Sequence, residues 1–170
     1  MKQLRNKALK QFLRQSGSPS VELVFVLQDV EDPVNVGATF RIADACGVRE
    51  IVLAGISAHP PDPTIAGIGR GTHRRVPWHT TKYAADAIEA YKEEGYLACA
   101  LEVATDAVPY HTVAYPDKVC LIVGNEFRGI SRRTFEVCDM AIYLPMYGKV
   151  GSLNVHVALA VASYHILHQC

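Results

Sequence analysis

Short, largely apolar runs alternate with helix-like segments along this chain of 170 residues. Strands buried on both faces of a sheet are continuously apolar, whereas half-buried strands alternate apolar and polar residues. Runs of this kind separated by helices are typical of α/β domains with a mainly parallel sheet flanked by helices. The predicted strands are residues 21–27, 49–54, 96–101, 118–123 and 140–144.

The predicted helices carry start or stop signals. The first is expected to be capped near Asn35 and ended by Gly47, and Ser131 and Ser152 or Asn154 are candidate caps for the later ones. The helices are predicted at residues 35–46, 83–95, 131–137 and 154–168. A proline-rich loop (57–63) and a glycine-rich, basic loop (65–75) lie between the second strand and the second helix.

Composition excludes several classes of protein. Hydrophobic residues make up 49% and charged residues 20%, and no apolar run reaches the roughly 18–20 residues of a membrane helix. The first residues, MKQLRNKALKQFLRQ, contain no apolar signal-peptide core, so a cytoplasmic location is expected. The five cysteines are odd in number, lack a C-x-x-C pair and read as buried thiols.

The charge is unevenly distributed. Net charge is zero, but the first 15 residues carry five cations and no acid, so the rest of the chain sums to −5. We expect a basic N-terminal arm or helix over residues 1–18, followed by a single domain over residues 19–170. Such an arm is compatible with nucleic-acid binding or with an ordinary solvated terminus.

A first polar cluster, NVGATFR (35–41), follows the first predicted strand. Gly37 and Ala38 leave part of the helix surface bare, so another backbone or a ligand can come close. Arg41 lies among apolar residues, where a cation needs a partner or an anionic ligand. Asp44 and Asp29 are the candidate structural partners.

A second cluster, GNEFRGIS (124–131), matches a phosphate-binding G-x-x-x-x-G-K-[ST] loop except at the lysine, where Ile130 stands. Glu126 inside the loop would repel phosphate. A nucleotide hydrolase is therefore disfavoured. Close-approach glycines with one carboxylate suit a neutral or cationic ligand, although Glu126 is also compatible with capping a neighbouring helix.

A third cluster is LPMYGKVGSLNVHVALA (144–160), a long loop running into the last helix. Taken in order, N-x(5)-R, G-N-E-x-x-G-[IL]-S and L-P-M-x-G-x(3)-S-L-N-V closely resemble the three signature motifs of the SpoU (TrmH-like) class of SPOUT RNA methyltransferases. The resemblance covers nearly the whole chain, from about Leu23 to Leu167.

The resemblance implies a deep C-terminal trefoil knot (the α/β knot), a homodimer, and S-adenosylmethionine-dependent methyl transfer to a ribose 2′-hydroxyl in RNA without a metal. By motif matching, the cofactor-binding residues would be Leu101, Gly124, Leu144, Met146, Ser152 and Leu153. The catalytic set would be Arg41, Asn35, Glu126, Ser152 and Asn154. Arginine is a poor general base, so Arg41 is expected to orient the hydroxyl and the RNA phosphate and to stabilise alkoxide charge.

His156 departs from the family pattern, which often has a small hydroxyl residue there; it is interpreted as a packed dimer-interface residue or a second-layer hydrogen bonder. RNA contacts are expected from the basic loop and the arm, through Arg70, Arg74, Arg75, Lys2 and Arg5. The small size favours tRNA over rRNA as the substrate. The alternative is an RNA-binding protein with the same fold and no transfer activity.

Overall fold

The computed structural model describes residues 3–13, 15, 17 and 19–169. Their core is one seven-stranded sheet in which all paired strands run parallel. The strands are β1 Glu22–Gln28, β2 Glu50–Ala54, β3 Trp78–Thr81, β4 Leu97–Leu101, β5 Val108–Pro109, β6 Lys118–Val123 and β7 Met140–Tyr143. Their order across the sheet is β3-β2-β1-β6-β4-β7-β5. The predicted α/β class is thereby confirmed.

Helices cover both faces of this sheet. The helices are α1 Asn6–Leu13, α2 Pro33–Cys46, α3 Pro63–Ile68, α4 Ala84–Glu93, α5 Arg132–Val137 and α6 Val155–His168. Alternate side chains of β1 enter two separate buried clusters: Phe25 packs with residues of α2, α3 and α6, and Val26 packs with residues of α4 and α5. Burial on both faces explains why the central strands are continuously apolar.

The five strands predicted from the apolar runs are all present, within one residue at each end. Two edge strands escaped prediction, because their sequences lack an apolar run. β3 reads WHTT and has two exposed and two half-buried residues, and β5 is only two residues long. Edge strands are partly solvated, so their composition resembles that of loops.

The start of α2 differs from its prediction. Asp32, not Asn35, is the N-cap, and its side chain accepts a hydrogen bond from the Val34 backbone N–H at 2.8 Å. Pro33 occupies the first helical turn, where a missing N–H costs nothing. Asn35 is consequently freed from capping. The predicted stop is confirmed, since Gly47 adopts the left-handed conformation (φ 66°).

The glycine-rich basic stretch is more ordered than a loop. It contains α3 and a 3-10 turn, Thr72–Arg74. A Cβ on Gly37 of α2 would lie 3.1 Å from the Ile65 backbone of α3, so the bare surface of α2 serves close helix packing. The absence of a side chain at Gly37 therefore allows α2 and α3 to pack closely.

The caps of the later helices follow the predictions. The Ser131 side chain accepts from the Thr134 N–H, although the contact is long at 3.4 Å. Asn154 occupies the N-cap position of α6, and its carbonyl accepts from the N–H of Val157 and Ala158. Its side chain makes no capping bond and remains available to the loop.

The basic arm contains one described helix, α1, whose apolar residues Leu9, Phe12 and Leu13 are exposed. Cys46, Cys99 and Cys120 are buried free thiols, as expected, and Cys170 lies outside the described residues. Within the described part of the chain, no helix is long and apolar enough to cross a bilayer. The trefoil knot stays a prediction drawn from the family resemblance.

Candidate cofactor and catalytic site

A cavity of about 390 Å³ opens at the carboxyl ends of β4, β6 and β7. Ligands of open parallel sheets bind at this edge, beyond the carboxyl ends of the strands. The end of β4, the loop after β6, the loop before α6 and the first turn of α2 all contribute to its wall. The lining residues are Asn35, Leu101–Val103, Val123–Phe127, Gly129, Tyr143, Leu144, Met146, Gly151–Val155 and Ala158.

The structure brings the six predicted cofactor-binding residues to this one cavity. Leu101 comes from β4, Gly124 follows β6, and the third-motif loop supplies the others, which are Leu144, Met146, Ser152 and Leu153. The wall therefore combines aliphatic and thioether side chains with exposed backbone.

Two carboxylates, Glu102 and Glu126, give the cavity its charge. A cationic group within the cavity would be favoured by both, whereas a phosphate would be repelled. Among the described residues, no group of three or more His, Cys, Asp or Glu side chains is arranged to hold a metal ion.

The GNEFRG loop is held in shape by its own backbone. Asn125 and Gly129 form an antiparallel bridge, with N–H···O distances of 3.1 and 2.9 Å. A Cβ on Gly124 would lie 2.2 Å from the backbone carbonyl carbon of Gly129, so only glycine fits at that position. Gly129 itself has a positive φ of 66°. Both glycines of the motif are thus required by backbone geometry.

Asn125 ties this loop to the segment after β1. Its Nδ2 donates to the backbone carbonyl of Asp29 at 2.7 Å and to the Glu31 carboxylate at 3.0 Å. Its Oδ1 accepts from the backbone N–H of Phe127 and Arg128. Every polar atom of this buried amide is engaged, which stabilises the two loops against each other.

Glu126 makes a second connection between the same two loops. Its carboxylate accepts from the backbone N–H groups of Glu31 and Asp32, each at 3.3 Å, and from Nδ2 of Asn35 at 2.9 Å. It therefore lies at the N-terminus of α2, where negative charge is stabilised. Because it also lines the cavity, Glu126 combines the capping role and the ligand-facing position that the sequence left open.

Asn35 also contacts the last helix. Its Oδ1 lies 2.9 Å from Nδ1 of His156 in the first turn of α6. A chain of side chains thus runs from Glu126 through Asn35 to His156, joining the three signature motifs. Burial lowers the pKa of His156, and the nearby Asp32 carboxylate offsets this in part.

Arg41 is placed differently from the other predicted catalytic residues. It is exposed on α2 and does not line the cavity. Its side chain forms no hydrogen bond or ion pair within the described part of the chain. The two structural partners considered for it are engaged elsewhere, since Asp44 pairs with Arg75 and Asp29 accepts from the Ile56 N–H. Arg41 is therefore available to a substrate.

Ser152 and Asn154 line the cavity on the third-motif loop. Both residues are exposed, and neither side chain is hydrogen bonded to another described residue. The two polar groups consequently face the cavity without an internal partner. The pair is free to contact a ligand.

The predicted RNA-contact residues fall into two regions. Arg70 and Arg74 are exposed around the 3-10 turn after α3. Arg75 forms a bidentate ion pair with Asp44, with N···O distances of 3.1 and 2.8 Å. Arg5 is exposed before α1, whereas Lys2 lies outside the described residues.

Three residues of the site were missed by sequence reasoning or given a lesser role. Glu102 adds the second carboxylate, Asn125 organises the loops, and His156 contacts Asn35 directly. The signal for Glu102 was its place immediately after a strand end, next to Leu101. His156 showed only its departure from the family pattern, since its partner is 121 residues away in sequence.

The fold and the cavity define an α/β protein with a ligand site at the carboxyl edge of its parallel sheet. The model of the SpoU rRNA Methylase family matches residues 22–164. The chain belongs to this family, which confirms the resemblance drawn from the three motifs.

Relatives with assigned names agree with this membership. A Staphylococcus haemolyticus protein assigned to the TrmH family of tRNA/rRNA methyltransferases is 32% identical over 157 residues, covering 92% of this chain and 63% of the relative. The 23S rRNA (guanosine-2′-O-)-methyltransferase RlmB of Neisseria meningitidis is 32% identical over 136 residues, covering 80% and 54%. This chain therefore spans less than two thirds of these relatives' length.

The fold is also shared with solved structures. The TrmH/SpoU tRNA modifying enzyme of A. aeolicus superposes with a TM-score of 0.80 at 28% identity, covering 96% of this chain and 82% of that chain. The architecture common to the two proteins includes nearly all of this chain.

Proposed function

We propose that this protein transfers a methyl group from S-adenosylmethionine to a ribose 2′-hydroxyl of RNA. One observation carries the proposal: residues of all three signature motifs line a single cavity that contains two carboxylates. The 2′-hydroxyl as acceptor is supported by the similarity to RlmB, whose name specifies 2′-O transfer.

The cavity suits S-adenosylmethionine by the chemistry of its wall. Leu101, Leu144 and Leu153 offer apolar contacts for the adenine, and backbone groups around Gly124 and Met146 offer hydrogen bonds. Glu102 and Glu126 favour a ligand that carries positive charge. When bound, the cofactor supplies an electrophilic methyl group on a cationic sulfur.

Arg41 is the residue proposed to act on the RNA. Its guanidinium is always charged and presents five donors, so it can hold a phosphate and stabilise negative charge on the hydroxyl oxygen. Asn35, fixed by Glu126, orients the polar groups at the start of α2. Ser152 and Asn154, whose side chains lack internal partners, complete the polar wall.

tRNA is the proposed substrate class. The solved neighbour described as a tRNA modifying enzyme is matched over 82% of its length. Arg70, Arg74 and Arg5 are exposed cations suited to phosphate contacts, and Lys2 is assigned the same role from sequence. Arg75 joins them only if its ion pair with Asp44 opens. Affinity carried by such contacts falls as salt concentration rises.

A homodimer is proposed as the assembly. The α6 residues Val157, Val161 and Tyr164 are exposed and spaced three to four apart, so they form one apolar stripe. A second copy of the chain would remove this stripe from water. Sedimentation equilibrium should give twice the chain mass of 18.6 kDa, and Val161→Glu should return the monomer. A wild-type protein that sediments at the chain mass would contradict the dimer.

The function is tested by incubating the purified protein with methyl-labelled S-adenosylmethionine and separate tRNA and rRNA pools. Labelled tRNA with the label mapped to a ribose 2′-oxygen is expected. Label in rRNA alone would show that rRNA, and not tRNA, is the substrate class. Cofactor and RNA binding without label in either pool would favour the RNA-binding protein that lacks transfer, and no cofactor binding would overturn the proposal.

A further inference from the structure

The ring of His156 has one nitrogen committed to a neighbouring side chain. Its Nδ1 lies 2.9 Å from Oδ1 of Asn35. Asn35 lines the cavity, and so do Val155 and Ala158 on either side of His156 in the first turns of α6. His156 is half-buried and is not itself a lining residue; it lies next to these residues, at the margin of the cavity.

The contacts of Asn35 determine which ring nitrogen carries the proton. One end of the Asn35 amide faces the Glu126 carboxylate at 2.9 Å. An ionised carboxylate only accepts hydrogen bonds, so the amide NH₂ must point to Glu126 and the amide oxygen to His156. The imidazole therefore carries hydrogen on Nδ1. In the neutral ring, Nε2 then keeps its lone pair.

The surroundings favour the neutral form of this ring. Burial lowers the pKa of His156 and is the larger influence, while the carboxylate of Asp32, at the cap of α2, raises it. Glu126 faces the ring from the loop after β6, with Asn35 between them. A neutral imidazole with a free lone pair is the form of histidine that accepts protons.

Methyl transfer to a hydroxyl releases a proton, and two of the predicted catalytic residues, Arg41 and Glu126, are poorly suited to take it. Arg41 carries a guanidinium group, which donates hydrogen bonds and does not accept them. The Glu126 carboxylate already accepts from three N–H donors, of Glu31, Asp32 and Asn35. Those contacts already engage its carboxylate oxygens.

We propose that His156 is the general base of the methyl transfer and that its Nε2 accepts the proton of the ribose 2′-hydroxyl. The hydroxyl oxygen forms its new bond to the methyl carbon as the carbon–sulfur bond breaks. The electron pair of that bond stays on sulfur, and the hydroxyl proton ends on Nε2, so the positive charge passes from the sulfonium to the imidazolium. The assignment rests on the proposed function and gives the released proton a destination.

The first test uses the free protein and needs no activity. Long-range ¹H–¹⁵N NMR spectra of the wild type, with His156 assigned by comparison with His156→Gln, report the protonation of each ring nitrogen. We expect hydrogen on Nδ1 in the neutral form and a titration midpoint below that of an unperturbed histidine. Hydrogen on Nε2 in the neutral form would overturn the proposal.

The second test uses single-turnover methyl transfer on the RNA pool that the wild type modifies. His156→Gln keeps an N–H donor for Asn35 but lacks a titrating nitrogen, and we expect its rate to fall about 10²–10⁴-fold. Its affinity for S-adenosylmethionine should change less than about twofold. The wild-type rate should decline as acid protonates His156, and the variant should lose that decline. His165→Gln, on the same helix, should retain it.

The outcomes separate this proposal from the proposed function. A wild type that binds the cofactor but transfers no methyl group to any RNA would overturn both. An active wild type whose His156→Gln variant keeps its rate, or keeps the acidic decline, would overturn only the role of His156. Should the glutamine variant fail to fold, restoration of His156→Ala activity by added imidazole supports the role, and no restoration contradicts it.

Discussion

Nδ2 of Asn35 donates a 2.9 Å hydrogen bond to Oε1 of Glu126 across 91 positions of sequence. The bond joins the first turn of α2 to the loop after β6. Because the same carboxylate accepts from two backbone N–H groups before α2, Glu126 fixes the position of one signature motif relative to another. The polar wall of the cavity is therefore built as one unit.

Replacing Glu126 with alanine should destabilise the protein. The change leaves the buried Asn35 amide and two backbone N–H groups without their acceptor, for which we expect a loss of about 1–3 kcal/mol in the free energy of unfolding. Urea denaturation measures it. Glu136→Ala is the matched control, since Glu136 forms only an exposed pair with Arg132 and should cost less than about 0.5 kcal/mol. Equal losses would contradict the bracing role of Glu126.

Gly124→Ala should distort the GNEFRG loop. A Cβ there would overlap the Gly129 backbone, and backbone cannot rotate aside as a flexible side chain can. We expect S-adenosylmethionine affinity, measured by calorimetry, to fall roughly tenfold or more, which is about 1.4 kcal/mol. A Cβ on Gly148 meets nothing within 4 Å, so Gly148→Ala should bind normally. An unchanged affinity of Gly124→Ala for S-adenosylmethionine would show that this loop is not part of the cofactor site.

Arg41→Ala should greatly reduce methyl transfer and leave cofactor binding nearly intact. Arg41 is exposed outside the cavity, so its loss removes contacts to RNA and none to the cofactor. A fall of about 10²–10³ in the transfer rate is expected from lost charge stabilisation. Arg41→Lys keeps the charge without the planar fork and should recover only part of the rate. Loss of cofactor affinity in the alanine variant would instead assign Arg41 to the cofactor site.

Stability should decline in alkaline solution because of the buried thiols Cys46 and Cys99 and the half-buried thiol Cys138. Burial raises the pKa of Cys99 and Cys138 to about 12 and that of Cys46 to about 11, against an ordinary 9.0. Above about pH 9 the unfolded chain loses these protons while the folded protein retains them, so the free energy of unfolding falls as pH rises toward 12.

Urea denaturation between about pH 8 and pH 10 measures this decline. Cys99→Ala removes one of the titrating groups and should make the decline shallower than in the wild type. Identical slopes in the two proteins would show that Cys99 does not contribute.

The α/β class, five of the seven strands and the three motif loops could be predicted from the sequence alone. The central strands are continuously apolar because helices cover both faces of the sheet. Each such run lies within five to seven consecutive residues, so it can be recognised from the sequence. The capping roles of Ser131 and Gly47 could also be predicted, because a helix cap depends on residues within one turn of the helix end. The motif order also carried the family membership, which the match over residues 22–164 confirms.

The way the three motifs contact one another could not be predicted and depends on the folded chain. The hydrogen bonds of Asn35 with Glu126 and His156 join residues that are 91 and 121 positions apart in sequence. The edge strands β3 and β5 could not be predicted from apolar runs. Their residues are partly exposed to solvent, so they lack the apolar pattern that marks the central strands. Long-range hydrogen bonds have no period or spacing in sequence, so the site's network becomes readable only after the sheet has brought its loops together.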